Sequence, residues 1–303
     1  MQQKERATLY VGTQDALHLF GNRSGREFAG RSVSALAQAD GALAMVLDGR
    51  ELFCSDSGKR WQSIAILDSV SIECVLWDGR TAWLGTSEAH LYRVRDGQSE
   101  RLESFDSAPG RADWYTPWGA PPDTRSLSRG ADGALYANVH VGGILRSRDV
   151  AASWAPTLDV DADTHQVSAD PTRAERIYAA TARGFAVSDD GADSWRFENA
   201  GLHASYLRAV ALTRDAILVT ASQGPRGSQA AVYRRPAQGS SFEKCHVGLP
   251  DWFDGNIDTH CLAASGQLVA LGHNGTVFWS ENAGTTWREL ASDLPSIQCL
   301  TLA

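Results

Sequence analysis

The sequence predicts an all-β chain closed into a seven-bladed β-propeller, with four antiparallel strands in each blade. Two independent series of repeats carry this prediction, and the fit between the chain's two ends adds a third observation. A repeat of 35 to 50 residues is sought before any single element, because missing it would misjudge the whole architecture.

The first series is an eight-residue box, Ser-x-Asp-x-Gly-x-x-Trp. It occurs as CSDSGKRW, SRDVAASW, SDDGADSW and SENAGTTW, ending at Trp61, Trp154, Trp195 and Trp287. Worn copies end at Phe28 (GNRSGREF) and Phe242 (RPAQGSSF), and a seventh lies in YRVRDGQSERL near Arg101. Each follows an apolar run such as ELFC, GILR, GFAV or TVFW, so the box reads as the hairpin between a third and a fourth strand. Within it Asp56, Asp149, Asp190 and Asn282 can accept hydrogen bonds from backbone N–H groups of their own turn. The Trp then returns to the sheet and buries its ring between blades, so these residues are expected to be structural.

The second series is the strand that opens each unit: SVSAL, SIECV, DTRSL, DTHQV, YLRAV, DTHCL and SIQCL. It again gives seven. Small residues near its end suit a strand crowded against a common axis. Second strands follow in GALAMVLD, TAWLGTS, GALYANVH, RIYAATA, AILVTAS and QLVALGH.

The termini close the ring: SIQCLTLA is an opening strand, whereas ATLYVGTQDALHLF supplies a second and third strand with no first. Together they complete one blade, which hides the sheet edges that an open array would expose. The expected units are 296–303 with 7–28, then 32–63, 71–103, 123–157, 163–198, 206–245 and 258–290, forming one domain over 1–303.

Composition bounds the function classes. A net charge of −8 without a Lys or Arg run argues against a nucleic-acid partner. No 18-residue apolar run occurs, so no membrane span is expected, and MQQKERATLYVGTQDALHLF lacks a signal-peptide pattern. The expected location is cytoplasmic, with five cysteines reduced. No Walker or dinucleotide glycine motif and no Gly-x-Ser-x-Gly elbow is present, so no nucleotide cofactor is expected.

The chemistry is expected on the opening strands, whose first residues stand at the channel mouth. Aligning them puts Ser34, Glu73, Arg125, His165, Arg208, His260 and Gln298 in one ring, and Ser32, Ser71, Asp123, Asp163, Tyr206, Asp258 and Ser296 two residues earlier. Four consecutive blades thus present Asp123-x-Arg125, Asp163-x-His165, Tyr206-x-Arg208 and Asp258-x-His260. Long loops add Trp118 and, further on, Trp252 and Asp254. Turns between second and third strands add His140, Arg183 and His273.

In its boxes the chain resembles the Asp-box, or BNR, repeats of sialidase-like and photosystem II assembly factor-like propellers. Cys54 departs from the pattern at the first Ser position, and Ala151 and Ala192 at the Gly position. The resemblance implies that the boxes are fold elements on the face away from the mouth.

Three functions stay open. The collar can bind an anionic or polyhydroxylated small molecule, a glycan or a peptide on its arginines. A glycoside hydrolase, a class the resemblance brings in, would use Asp163, Tyr206 and Asp258 as its catalytic groups; a sialidase is disfavoured, because the Arg-Ile-Pro motif is missing and Ile177 after Arg176 is followed by Tyr178. A metal-dependent hydrolase would hold a divalent ion on His140, His165 and His260. Oligomeric state is not legible.

Overall fold

In the computed structural model, which describes residues 7–116 and 118–303, alternating apolar runs become 28 strands in seven four-stranded antiparallel sheets. The first six residues of the N-terminal stretch, and Pro117 of the aromatic insertion, lie outside the described residues. Among the described residues no helix is long and apolar enough to cross a membrane.

Blade one joins the two ends: Ile297–Leu302 pairs with Thr8–Thr13, followed by Leu17–Gly21 and Gly25–Glu27. Blades two to six open with Val33–Ala39, Ile72–Trp77, Thr124–Arg129, Thr164–Ala169 and Tyr206–Leu212, and blade seven with Leu262–Ser265. Each opening strand packs against the opening strands of both neighbouring blades, and Ile297–Leu302 touches those of blades two and seven, so the ring is shut. The terminal strands make a covalently discontinuous sheet whose ladder is continuous, as the sequence predicts.

Crowding at the axis explains the small residues there. A Cβ on Gly12 would meet the Cys299 Sγ at 2.6 Å and one on Gly85 the Cys74 Sγ at 2.6 Å. Cys74, Cys261 and Cys299 are buried beside carbonyl oxygens of the next blade, and burial raises all three thiols far above their ordinary range. They are packing groups, as expected from their shared register.

Between blades, each box Trp packs on the preceding sheet. Trp154 sits among Trp83, Leu91, Leu102 and Phe105, edge-on to Phe105 at 5.1 Å, and Trp287 joins a cluster with Leu218 and Val232. Trp61 and Trp195 are only half-buried, which corrects the expectation that all four rings are fully covered.

Three of the four box turns share one hydrogen-bond network. The Ser188 hydroxyl donates to Asp190 (2.7 Å) and accepts from the Ala192 N–H (2.8 Å), while Asp190 accepts from the N–H and hydroxyl of Ser194 (2.9 and 2.6 Å). Ser147, Asp149 and Ser153 repeat it, and Ser280, Asn282 and Thr286 do so with one bond reversed, the Asn282 amide donating to the Thr286 hydroxyl (2.8 Å). Backbone φ is positive at Ala151, Ala192, Gly58 and Gly284, the position where Gly avoids the Cβ clash. The turn at Asp56 differs: Cys54 replaces the hydroxyl that joins the others, Arg23 donates to the Gly58 carbonyl, and the Trp61 indole donates to Glu27 (3.0 Å).

Candidate functional site

The sequence places one residue of each opening strand on the rim, and the sheet register shows how it is presented. In six blades the first strand carries a β-bulge near its start. The extra residue is Gln298, Ser34, Glu73, Arg125 or His165, and in blade six Arg208 with Ala209 stand opposite one partner. A bulge leaves its extra residue out of the ladder and re-aims the side chain, so the fold repeats one device for turning a side chain toward the axis.

Blade seven breaks the pattern. Its strand begins only at Leu262, and the preceding residues cross the channel. The Thr259 hydroxyl donates to the carbonyls of Arg208 (2.9 Å) and His165 (3.2 Å), and the His260 Nε2 lies 2.9 Å from the Arg125 carbonyl. His260 takes a positive φ of 67° to make this crossing. DTHCL is nearly identical to DTHQV, so no local signal in the sequence reveals Thr259 as a bridge.

The result is a cavity of about 250 Å³ lined by Ser34, Glu73, Arg125, Arg208, Asp258, Thr259, His260 and Gln298. Six of the seven predicted ring residues therefore share one space. The Arg208 guanidinium donates to Asp258 (2.7 Å) and to the Tyr206 hydroxyl (3.3 Å). The Arg125 guanidinium makes no hydrogen bond or ion pair among the described residues, although it faces this cavity beside Asp123 and Asp258. Burial, then the charge of Arg208, weakens its hold on its proton, but a guanidinium stays protonated at neutral pH. Glu73 lines the cavity with part of its surface exposed. Burial, and next the charge of Asp123, raise its carboxyl above the usual range.

His165 is the ring residue that leaves this cavity. It is 0% exposed and sits with His140 (4% exposed) and Asp163 on the blade-four side. The His165 Nδ1 lies 2.6 Å from the Leu207 carbonyl, so Nδ1 carries the proton and Nε2 its lone pair. The Asp163 Oδ1 is 3.5 Å from the His140 Nε2 and 3.7 Å from the His165 Nε2. Burial, then the nearby guanidiniums, push the His140 imidazole down to about 3. Burial likewise takes His165 to about 3, against the pull of its bond to Leu207. Both are neutral at pH 7. Asp163 moves the other way, raised by burial.

The structure therefore redraws the expected metal set. Among the described residues His140, Asp163 and His165 bring their donor atoms within 4.8 Å of one another. His260 is not among them, because its Nε2 is committed across the channel to Arg125.

The surrounding loops divide. Trp118 is exposed and packs on His140, with centroids 5.1 Å apart, and His140 in turn neighbours His165, which packs on Tyr206. Asp254 and His273 meet through a 2.9 Å hydrogen bond to the Asp254 carbonyl. Trp252 stands elsewhere, against His203 and under the Lys244 ammonium in the outer strand of blade six. Arg183 likewise lies over Phe197 in the outer strand of blade five. The structure does not bring these two into the collar, because their side chains pack on partners in or beside the outer strands of blades five and six. Of the three candidate catalytic groups, Asp258 is already paired with Arg208, Tyr206 accepts from the same guanidinium, and Asp163 faces the two imidazoles.

No protein-family model and no curated protein sequence matches this chain. Solved structures do match. The GH74 xyloglucanase from Xanthomonas campestris is 16% identical with a TM-score of 0.62, covering 86% of this chain and 45% of that one. The GH74 enzyme of Niastella koreensis is 13% identical with a TM-score of 0.63, covering 96% and 47%. YCF48, solved bound to D1 peptide, is 13% identical with a TM-score of 0.59, covering 95% and 91%. The chain thus spans under half the length of the GH74 structures and nearly all of the YCF48 one. At these identities the likeness is one of fold, a seven-bladed propeller of four-stranded sheets.

Proposed function

We propose that the chain is a single-domain binding propeller whose channel-mouth pocket receives a carboxylate-bearing ligand, either a small molecule, an acidic glycan or a peptide. The observation that carries this reading is the Arg125 guanidinium, which faces a cavity and makes no hydrogen bond or ion pair among the described residues. Asp123 and Asp258 lie near enough to attract it but neither hydrogen-bonds to it, so its donors stay open, and a ligand carboxylate supplies two oxygens in the geometry a guanidinium prefers. Arg208 is available as a second donor only by sharing with Asp258. The neighbour solved with a bound peptide makes a peptide ligand a natural first probe.

The box turns, with their Ser-Asp-Ser networks, support assigning the chain to the Asp-box propellers. Its five unpaired thiols fit a reducing compartment, which supports a cytoplasmic location.

The test is a binding titration with a panel of acidic peptides and uronic-acid oligosaccharides, against wild type and Arg125→Gln. At least one member should bind wild type and lose most of its affinity for the variant. A panel that binds both equally well, or neither, removes the reading.

A second reading, a glycoside hydrolase, draws on the GH74 neighbours and on the raised Asp163 carboxyl, which could serve as an acid. Turnover of chromogenic glycosides that disappears in Asp163→Asn would favour it over simple binding.

A further inference from the structure

We propose that His140, Asp163 and His165 form a binding site for one divalent transition-metal ion, with a coordination position left open for water or a ligand. The inference stands apart from the carboxylate reading, since it rests on different residues.

Four observations carry it. First, the donor separations suit one ion. Metal–ligand bonds of about 2.0–2.2 Å place tetrahedral donors about 3.3–3.5 Å apart, and the Asp163 Oδ1 lies 3.5 and 3.7 Å from the two imidazole Nε2 atoms. These distances are too long for direct hydrogen bonds and short enough for a shared ion. Second, the atoms facing one another lack other partners: the His165 Nε2 and the Asp163 Oδ1 are buried and unsatisfied. His165 is wholly buried, so its lone pair has nowhere else to go. Third, the Nδ1–H of His165 is held by the Leu207 carbonyl, the outer-shell bond that fixes the tautomer and ring orientation of a metal-bound histidine. Fourth, the backbone at Asp163 adopts a left-handed φ of 47°, an uncommon conformation for a residue with a side chain, and it is this turn that brings the carboxylate to the imidazoles.

Two imidazoles and a carboxylate suit zinc and its first-row neighbours, and three protein donors are the set found where a metal keeps an exchangeable position. Arg125 and Arg208 put positive charge nearby, but Asp123, Asp258, Glu73 and Asp163 provide four carboxylates against those two guanidiniums.

The experiment uses the full chain, stripped with a chelator and titrated with Zn2+ by calorimetry and with Co2+ by visible absorption. One equivalent should bind, and Co2+ should give the intense absorption of a low-coordinate nitrogen–oxygen site. His140→Ala and Asp163→Asn should each weaken binding by more than about a hundredfold, beyond the loss typical of an outer-shell change. His165→Ala should do the same, with a thermal melt of the stripped protein confirming that each variant is folded. His246→Ala, an exposed imidazole elsewhere, should bind as wild type does. Wild type that takes up no stoichiometric ion, or folded His140→Ala and Asp163→Asn proteins that bind as tightly as wild type, would overturn the site.

Discussion

The Nδ1 of His165 lies 2.6 Å from the backbone carbonyl oxygen of Leu207, so a wholly buried imidazole of blade five is tied to the first strand of blade six. Removing it leaves a carbonyl without this donor and a void beside Tyr206. His165→Ala is expected to cost about 1–3 kcal/mol, the penalty for a lost buried hydrogen-bond partner, read from urea unfolding with an unchanged m-value. A stability equal to wild type would mean that the two blades do not depend on this link.

Arg125 should behave oppositely. Its guanidinium gives up no hydrogen bond or ion pair among the described residues, only a longer-range attraction to Asp123 and Asp258, so Arg125→Gln should leave the melting temperature nearly unchanged. Its effect belongs in binding: losing a charge-assisted contact worth about 1.5–3 kcal/mol lowers carboxylate affinity by roughly ten- to more than a hundredfold. A destabilised variant with intact affinity would assign the residue to the scaffold.

The four box tryptophans should separate by burial. Trp154 is 5% exposed and packs edge-on to Phe105, so Trp154→Ala should cost about 3–5 kcal/mol. Trp195 is half-buried, and Trp195→Ala should cost clearly less in the same denaturation experiment. Equal losses at the two positions would contradict the packing described for the blade interfaces.

Acid should loosen the box turns. The Ser153 hydroxyl and N–H lower the Asp149 carboxyl to about 2, and the matching Ser194 groups lower Asp190 further still. An unfolded Asp titrates at about 3.9, so between that pH and the lower folded-state value the folded chain binds fewer protons than the unfolded one. This contribution is therefore complete above about pH 5 and is lost as pH falls through 4 toward 2. Asn282 closes its turn without titrating, accepting from the Thr286 N–H and donating to its hydroxyl, so Asp190→Asn should keep most of the neutral-pH stability and flatten the acid limb of Tm against pH. An unchanged acid limb would place the sensitivity elsewhere.

Much of this was legible beforehand because each blade repeats the same local problem. Six of the seven opening strands put Ser34, Glu73, Arg125, Arg208, His260 and Gln298 around one cavity, a ring that their shared register predicts. The exceptions have no signal in that register. Arg183 and Trp252 pack instead on Phe197 and Lys244 of the outer strands. His260 aligns with His165, yet one crosses the channel and the other is sealed under a neighbouring blade.

By itself the sequence determined the strand periodicity, the seven units, the closure by SIQCLTLA and the residues available at the rim, because these depend on short-range pattern and on the repeat of that pattern. Only the tertiary structure decided which rim residues face one another. Arg208 meets Asp258, Asp163 meets two imidazoles and His260 meets the Arg125 carbonyl, because partners up to 135 residues apart are chosen by the curvature of the closed ring and the bulge that aims each side chain. Such pairings depend on distances across the axis, and no local stretch of chain encodes those distances.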